Sequence, residues 1–251
     1  MNSYKRVLKI AFILILMNLI NVSAQNNFKT DKIQSKNSDI EITFIGHGSL
    51  SLSYKGKNIQ VDPYSELANY EMFPKADIIL ITHHHGDHLD FAAIDKVSSD
   101  KTQYILTKKC KELADTLKNT TVLQNGESKE ILGIKVMAVP AYNIVHKREN
   151  GNVFHPKGEG NGYVLNLGGI RIYIAGDTEN IPEMVNLENI DVAFLPMNLP
   201  YTMTPEMVAL AARMFKPKIL YPYHTGNTEI QKLLDLLVDE KEIEVRIREM
   251  N

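Results

Sequence analysis

The run Thr82-His83-His84-His85-Gly86-Asp87-His88 constrains this 251-residue chain more than any other segment. It follows directly on the apolar stretch Ile78-Ile79-Leu80-Ile81, which reads as a buried strand. Four residues of metal-ligand type, His83, His85, Asp87 and His88, fall within six positions, and Gly86 lets the backbone fold tightly between them. In an extended or turning segment His83 and His85 point the same way and share one cation. Asp87 and His88 then swing toward a second position close by. Imidazole and carboxylate are the donors that zinc and related divalent ions take. A solvated histidine-rich loop is the competing reading, and the position immediately after an apolar strand fits that reading poorly.

The rest of the chain supports one α/β domain over 39–251. Short strand-like runs fall at 40–45, 50–54, 58–62, 78–81, 104–106, 131–139, 163–167, 171–175, 192–195, 218–221 and 244–247. Helical patterns fall at 89–98, 108–118, 204–215 and 227–239. Thr204 as N-cap with Pro205 at the first helical position marks the third helix start. Its apolar positions Met207, Leu210, Ala211 and Met214 are expected to form one core-facing stripe. The lone Cys110 shares a helical stripe with Leu113, Ala114 and Leu117 and reads as a buried thiol without an internal disulfide partner. No proline- or serine-rich linker divides the chain, no internal repeat stands out, and 25–38 reads as a polar, flexible lead-in.

The first 24 residues have a different character. Lys5, Arg6 and Lys9 precede an apolar core over 10–17, and Val22-Ser23-Ala24 supplies the small residues that a signal peptidase reads. The core is short for a membrane span, which takes roughly 20 residues. The expectation is a cleaved signal peptide, with an uncleaved anchor as the alternative, an exported periplasmic or extracellular protein, and no stable membrane insertion after cleavage. Loss of the three basic residues leaves 25 Lys and Arg against 30 Asp and Glu, a net charge of −5. No basic patch suggests nucleic acid as a partner, so a small molecule is the expected substrate.

The His-x-His-x-Asp-His run resembles the signature of the metallo-β-lactamase superfamily, and the similarity extends from about Ile40 to the C-terminus. Ile45-Gly46-His47-Gly48-Ser49, Val61-Asp62-Pro63, Ile174-Ala175-Gly176-Asp177-Thr178 and Tyr201-Thr202-Met203 resemble the branch containing ascorbate-6-phosphate lactonase and N-acyl-phosphatidylethanolamine phospholipase D. The resemblance implies a four-layer αββα sandwich with two metal ions at one edge, between the sheets.

It also implies the remaining ligands. Asp177 follows the strand at 171–175 in a Gly-Asp-Thr turn, where the family carries the carboxylate bridging both ions. His224, after the strand at 218–221, matches the last ligand of the second ion. For the first ion many relatives carry a histidine after a Pro-Ala segment, and here Pro140-Ala141-Tyr142-Asn143 puts asparagine at that point. His155, in Phe154-His155-Pro156-Lys157-Gly158, is the favoured replacement. His146 is the reserve, and a direct Asn143 contact is the third option. His47 matches the Gly-His segment that approaches the metals, either to meet substrate or to stabilise a turn. Asp62 is a candidate acceptor orienting the metal loop. Tyr201 lines the cleft or packs, and His84 points away from the ions.

Such a set implies an exported hydrolase in which two ions make hydroxide available near neutral pH for attack on an ester, lactone or phosphodiester. Asp177 holds the bridge, and Asp87 receives the proton as the intermediate collapses. Zinc is the default on ligand type, and manganese or iron suits the same donors. A β-lactamase and a metal-binding protein without hydrolytic activity are the alternatives, and fold analogy does not choose the substrate.

Overall fold

The structure, a computed structural model, describes residues 28–250; the signal segment expected over 1–24 lies outside the described residues. Alternating apolar residues build the first sheet from β1 (Thr30–Ile33), β2 (Ile40–Gly46), β3 (Ser49–Tyr54), β4 (Lys57–Val61), β5 (Ile78–Leu80), β6 (Gln103–Leu106) and β7 (Thr120–Val122). They lie in sequence order, β1 to β4 antiparallel and β4 to β7 parallel. In β2, Ile40, Ile42 and Phe44 face the partner sheet, following the two-residue period of a strand. In β5, Ile78 and Leu80 face that side while Ile79 faces the other, so this parallel strand is apolar on both faces.

The second sheet repeats the plan with β8 (Ser128–Ile131), β9 (Ile134–Ala141), β10 (Gly160–Leu167), β11 (Ile170–Ile174), β12 (Val192–Pro196), β13 (Ile219–Tyr223) and β14 (Glu244–Val245). Here β8 to β11 are antiparallel and β11 to β14 parallel. The parallel crossovers carry helices α1 (Phe91–Val97) and α2 (Lys108–Leu113) on the first sheet, α3 (Pro205–Phe215) and α4 (Ile230–Leu237) on the second. The apolar residues form three separate layers. Leu52, Val136, Leu165 and Tyr221 pack in the central layer between the sheets. Ile81, Ile94, Val97 and Cys110 pack under α1 and α2, while Ala193, Leu195, Val208 and Leu233 pack under α3 and α4. This is the expected αββα sandwich.

Four local expectations are corrected. Part of the polar lead-in is strand: Thr30–Ile33 pairs with β2, and the Asp31 carboxylate is gripped by Arg248 at 2.6 and 2.7 Å. The run over 131–139 is broken by a Leu132-Gly133 turn into the β8–β9 hairpin, with both turn residues at positive φ. In α3 the buried face is Val208, Ala211, Ala212 and Phe215, while Leu210 is 50% and Met214 37% exposed. Small side chains there let the helix approach the sheet closely, which rotates the bulkier pair outward. Likewise Cys110 and Ala114 are buried as expected, but Leu113 is exposed because α2 ends there.

Candidate metal centre

The site is assembled at the carboxyl ends of the parallel strands, where a loop must leave the sheet and its side chains converge. Just beyond β4, Asp62 is fully buried. Its Oδ1 accepts from the Thr82 backbone N–H at 2.8 Å and its Oδ2 accepts from Thr82 Oγ1 at 2.6 Å, locking the end of β5 to the end of β4. Asp62 Oδ2 also lies 2.8 Å from His88 Nδ1. Burial works to depress His88, but Asp177 and Asp62 outweigh it and raise the imidazole to about 9. Nδ1 is held against Asp62, and Nε2 is aimed at Asp177 Oδ1, 3.7 Å away.

Two groups of donors face Asp177. In the first, His83 Nε2 and His85 Nδ1 are 3.1 Å apart, and His155 joins them with all three ligand atoms within 4.8 Å of one another. In the second, His88, Asp87, His224 and His47 meet the same condition. Asp177 Oδ2 lies 3.3 Å from His155 Nε2, 3.5 Å from His224 Nε2 and 3.9 Å from His83 Nε2. Burial pushes the Asp177 carboxyl up, yet the neighbouring His224, His88 and His155 hold it well below the usual carboxylate range. Burial pulls His85 and His224 down to about 4 and His83 well below its ordinary value, so these rings are neutral near pH 7 and offer lone pairs.

Backbone detail fixes the donors. Gly176 sits at φ +65°, and a Cβ there would lie 2.8 Å from the Asn161 carbonyl oxygen, so glycine is required for the turn that presents Asp177. A Cβ on Gly48 would come within 2.8 Å of the His88 ring. Three further site residues, His47, Asp62 and His224, have φ between +42° and +49°. Left-handed backbone at non-glycine residues costs on the order of 1 kcal/mol each and concentrates where geometry matters more than local comfort.

The donor set fits divalent metal. Three buried ligand-type atoms, His88 Nε2, Asp177 Oδ1 and His224 Nε2, have no hydrogen-bond partner among the described residues. Buried polar atoms are ordinarily satisfied, and unsatisfied imidazole nitrogens converging on an unsatisfied carboxylate are what a cation would satisfy.

The structure brings together all seven predicted ligands, His83, His85, Asp87, His88, His155, Asp177 and His224. Asn143 stands behind His155 instead: its Oδ1 accepts from the His155 backbone N–H at 2.9 Å and lies 2.6 Å from Nδ1. His146 is outside both groups, its Nδ1 2.8 Å from Glu179. His47 lies against His224, ring centroids 3.6 Å apart and planes tilted by 37°, with Nε2 3.1 Å from Asp87 Oδ2. His84 belongs to neither group. Tyr201 lines a cleft of about 360 Å³ over the site with His85, His155, Asp177, His224, Phe154 and Arg148.

Two supporting residues escape the sequence reading. Buried Glu179 accepts backbone N–H bonds from Ile144, Val145 and His146 at 2.7 Å each and the Asn143 amide at 3.1 Å. It thereby fixes the segment that orients His155. Asn198 lies 3.3 Å from His224 Nδ1. Glu179's proximity to Asp177 in sequence is the available signal; Asn198 has none.

Comparisons with known proteins agree with this geometry. Residues 41–224 match the beta-lactamase superfamily domain. A metal-dependent hydrolase of Thermococcus onnurineus is 33% identical over 197 residues, covering 74% of this chain and 84% of the relative. The corresponding protein of Pyrococcus abyssi is 31% identical over 198 residues, with the same coverage. Among solved structures, a candidate metal-dependent hydrolase from Parabacteroides distasonis is 51% identical with a TM-score of 0.84, covering 89% of this chain and 100% of that one. The metallo hydrolase Igni18 from Ignicoccus hospitalis shares the fold at 22% identity and a TM-score of 0.69, over 84% of this chain and 95% of its own. With the αββα sandwich, the His-x-His-x-Asp-His loop and these matches in agreement, the chain belongs to the metallo-β-lactamase superfamily.

Proposed function

We propose that the chain is a metal-dependent hydrolase with a dinuclear site, cleaving an ester, lactone or phosphodiester in a small molecule. The observation that carries this reading is the placement of Asp177 between two clusters of imidazoles, with buried donor atoms left unsatisfied on both carboxylate and rings. His83, His85 and His155 would hold one ion, Asp87, His88 and His224 the other, and Asp177 both. Two such ions, zinc by default on ligand type with manganese or iron suiting the same donors, would supply Lewis acidity and a water acidified toward neutral pH.

The chain's own groups do the rest. Asp62 and Asn143 hold Nδ1 of His88 and His155, so that Nε2 of each ring faces the site. Asp87, on the cleft side and hydrogen-bonded to His47, is placed to take a proton and return it to a leaving group. Partial burial pushes the Asp87 carboxyl up, yet the His47 contact outweighs it and lowers the group, which keeps the carboxylate ionised as a metal-facing donor must be.

Export remains part of the reading, supported by the basic, apolar and small-residue succession over 1–24. Among the described residues no helix is long and apolar enough to cross a membrane. The acidic balance of the remaining chain argues for a small-molecule substrate over nucleic acid.

The test is a panel of lactones, phosphodiesters, simple esters and nitrocefin, run on chelated and zinc-reloaded protein. Turnover that disappears on chelation and returns on reloading supports the hydrolase. Metal binding without turnover of any member would favour the non-hydrolytic alternative. The N-terminal residue of the mature protein tests export: Gln25 is expected, and Met1 would contradict cleavage.

A further inference from the structure

The loop between β9 and β10 carries His155 near its base and folds back through a small bridge, Lys147 to Val153, with Arg148 N–H donating to the Asn152 carbonyl at 2.7 Å. That fold-back places the Arg148 side chain on the wall of the metal cleft. Its guanidinium carbon lies 4.8 Å from the Phe154 ring centroid, and Phe154 in turn meets Tyr201 edge-on, centroids 5.1 Å apart at 78°. All three residues line the same cleft as Asp177, His85 and His224.

Arg148 differs from Lys157, another cation of this loop. Lys157 is held by Glu183 at 2.6 Å and by the Tyr142 hydroxyl. Arg148 makes no ion pair and no side-chain hydrogen bond among the described residues. A guanidinium resting on an aromatic face keeps its planar edge free, and that edge matches the two oxygens of a carboxylate or phosphate. We infer that Arg148 is a specificity-determining residue that grips an oxyanion on the substrate, remote from the bond that is cleaved. The substrate class is therefore a small anionic ester or lactone, of a size that a cleft of about 360 Å³ admits. The inference rests on the hydrolase reading of the same cleft for the bond that breaks, but not for the anion contact.

The test uses the zinc-loaded full chain and two p-nitrophenyl esters of matched length, the neutral butyrate and the anionic hydrogen succinate. Arg148→Ala is expected to lower kcat/KM for the succinate about 10–100-fold, the weight of one or two charge-assisted hydrogen bonds, with the butyrate unchanged within about twofold. Arg148→Lys should recover part of the loss, since it restores the charge without the fork. Equal losses on both esters would make Arg148 a prop for the loop and overturn the proposal, as would no loss on either.

Calorimetric titration with succinate and with 3-phosphonopropionate gives a readout independent of turnover. Affinity for at least one should fall about tenfold in Arg148→Ala, and the ligand that loses more identifies the preferred oxyanion. Unchanged affinity for both would contradict the anion contact. If no lactone, phosphodiester or ester of the wider panel is hydrolysed while anion binding still depends on Arg148, the hydrolase reading fails and the oxyanion site stands. Hydrolysis that ignores Arg148 is the reverse result.

Discussion

The two halves of the molecule share a plan and contribute to the site very differently. Each runs four antiparallel strands into three parallel ones, with a 3₁₀ turn after the fourth strand and a helix in each later crossover. Equivalent positions can therefore be compared. The turn between the second and third strands carries His47 in one half, and the corresponding loop carries His155 in the other. The end of the fourth strand presents Asp62 in one and Asp177 in the other. Both carboxylates are buried, yet Asp62 accepts bonds from Thr82 and lies against His88, while Asp177 Oδ1 has no hydrogen-bond partner among the described residues. The same place in the fold thus serves as an anchor in one half and, in the other, presents a carboxylate oxygen left open between the imidazole clusters. What differs is whether the next strand supplies donors to consume it.

That contrast is broken most severely at Asp177. Asp177→Asn is expected to lower turnover about 10³-fold, near the upper range for one electrostatic group, with loss of bound metal. Steady-state kinetics and elemental analysis check both, and a variant retaining most activity would remove the distinction between the halves. Asp62→Asn acts through His88 and should weaken metal affinity about 10–100-fold without abolishing the site, as read by competition with a chromophoric chelator. Asn143→Ala should loosen only the His155 side, by about tenfold, whereas His146→Ala should leave metal content unchanged.

The smallest effect lies far from the candidate metal centre, where Asp31 of β1 ties to Arg248. Asp31→Asn should cost about 1.5 kcal/mol in urea unfolding at pH 7, the scale of a hydrogen bond to a charged group. Although burial opposes it, Arg248 and Tyr221 lower the Asp31 carboxyl from its ordinary 3.8. A lowered folded value means the contribution is present above about pH 4 and fades as pH falls through that lowered value. Wild type and variant should therefore converge in strong acid, and a gap that widened there would contradict the assignment.

The same division governs how much the sequence reveals. The first half announces itself, because an apolar strand runs straight into four donors within six residues. In the second half the donors are single residues at three separated strand ends, each indistinguishable from a loop residue until the sheet brings them together. Asp177, His155 and His224 are legible only through resemblance to a family. Asn198 acts through the His224 ring, so no spacing rule marks it, and Glu179 offers only its nearness to Asp177. Most strands and all four helices follow from periodicity, but β1 offers a single inward apolar residue, Ile33, and is held largely by pairing and by Arg248. The face of α3 departs from the periodicity of its larger side chains because alanines meet the sheet in their place. The duplicated topology leaves no trace in the sequence, since the halves keep the backbone plan and not the residues.

The most direct test is the number of ions held by purified protein after reconstitution, measured by elemental analysis for the wild-type chain and for His155→Ala and His224→Ala. Two ions per chain are expected, falling to one in each variant, because the two histidines belong to different clusters joined through Asp177. A single ion in the wild type, or two that persist in both variants, would contradict a dinuclear centre built from both halves.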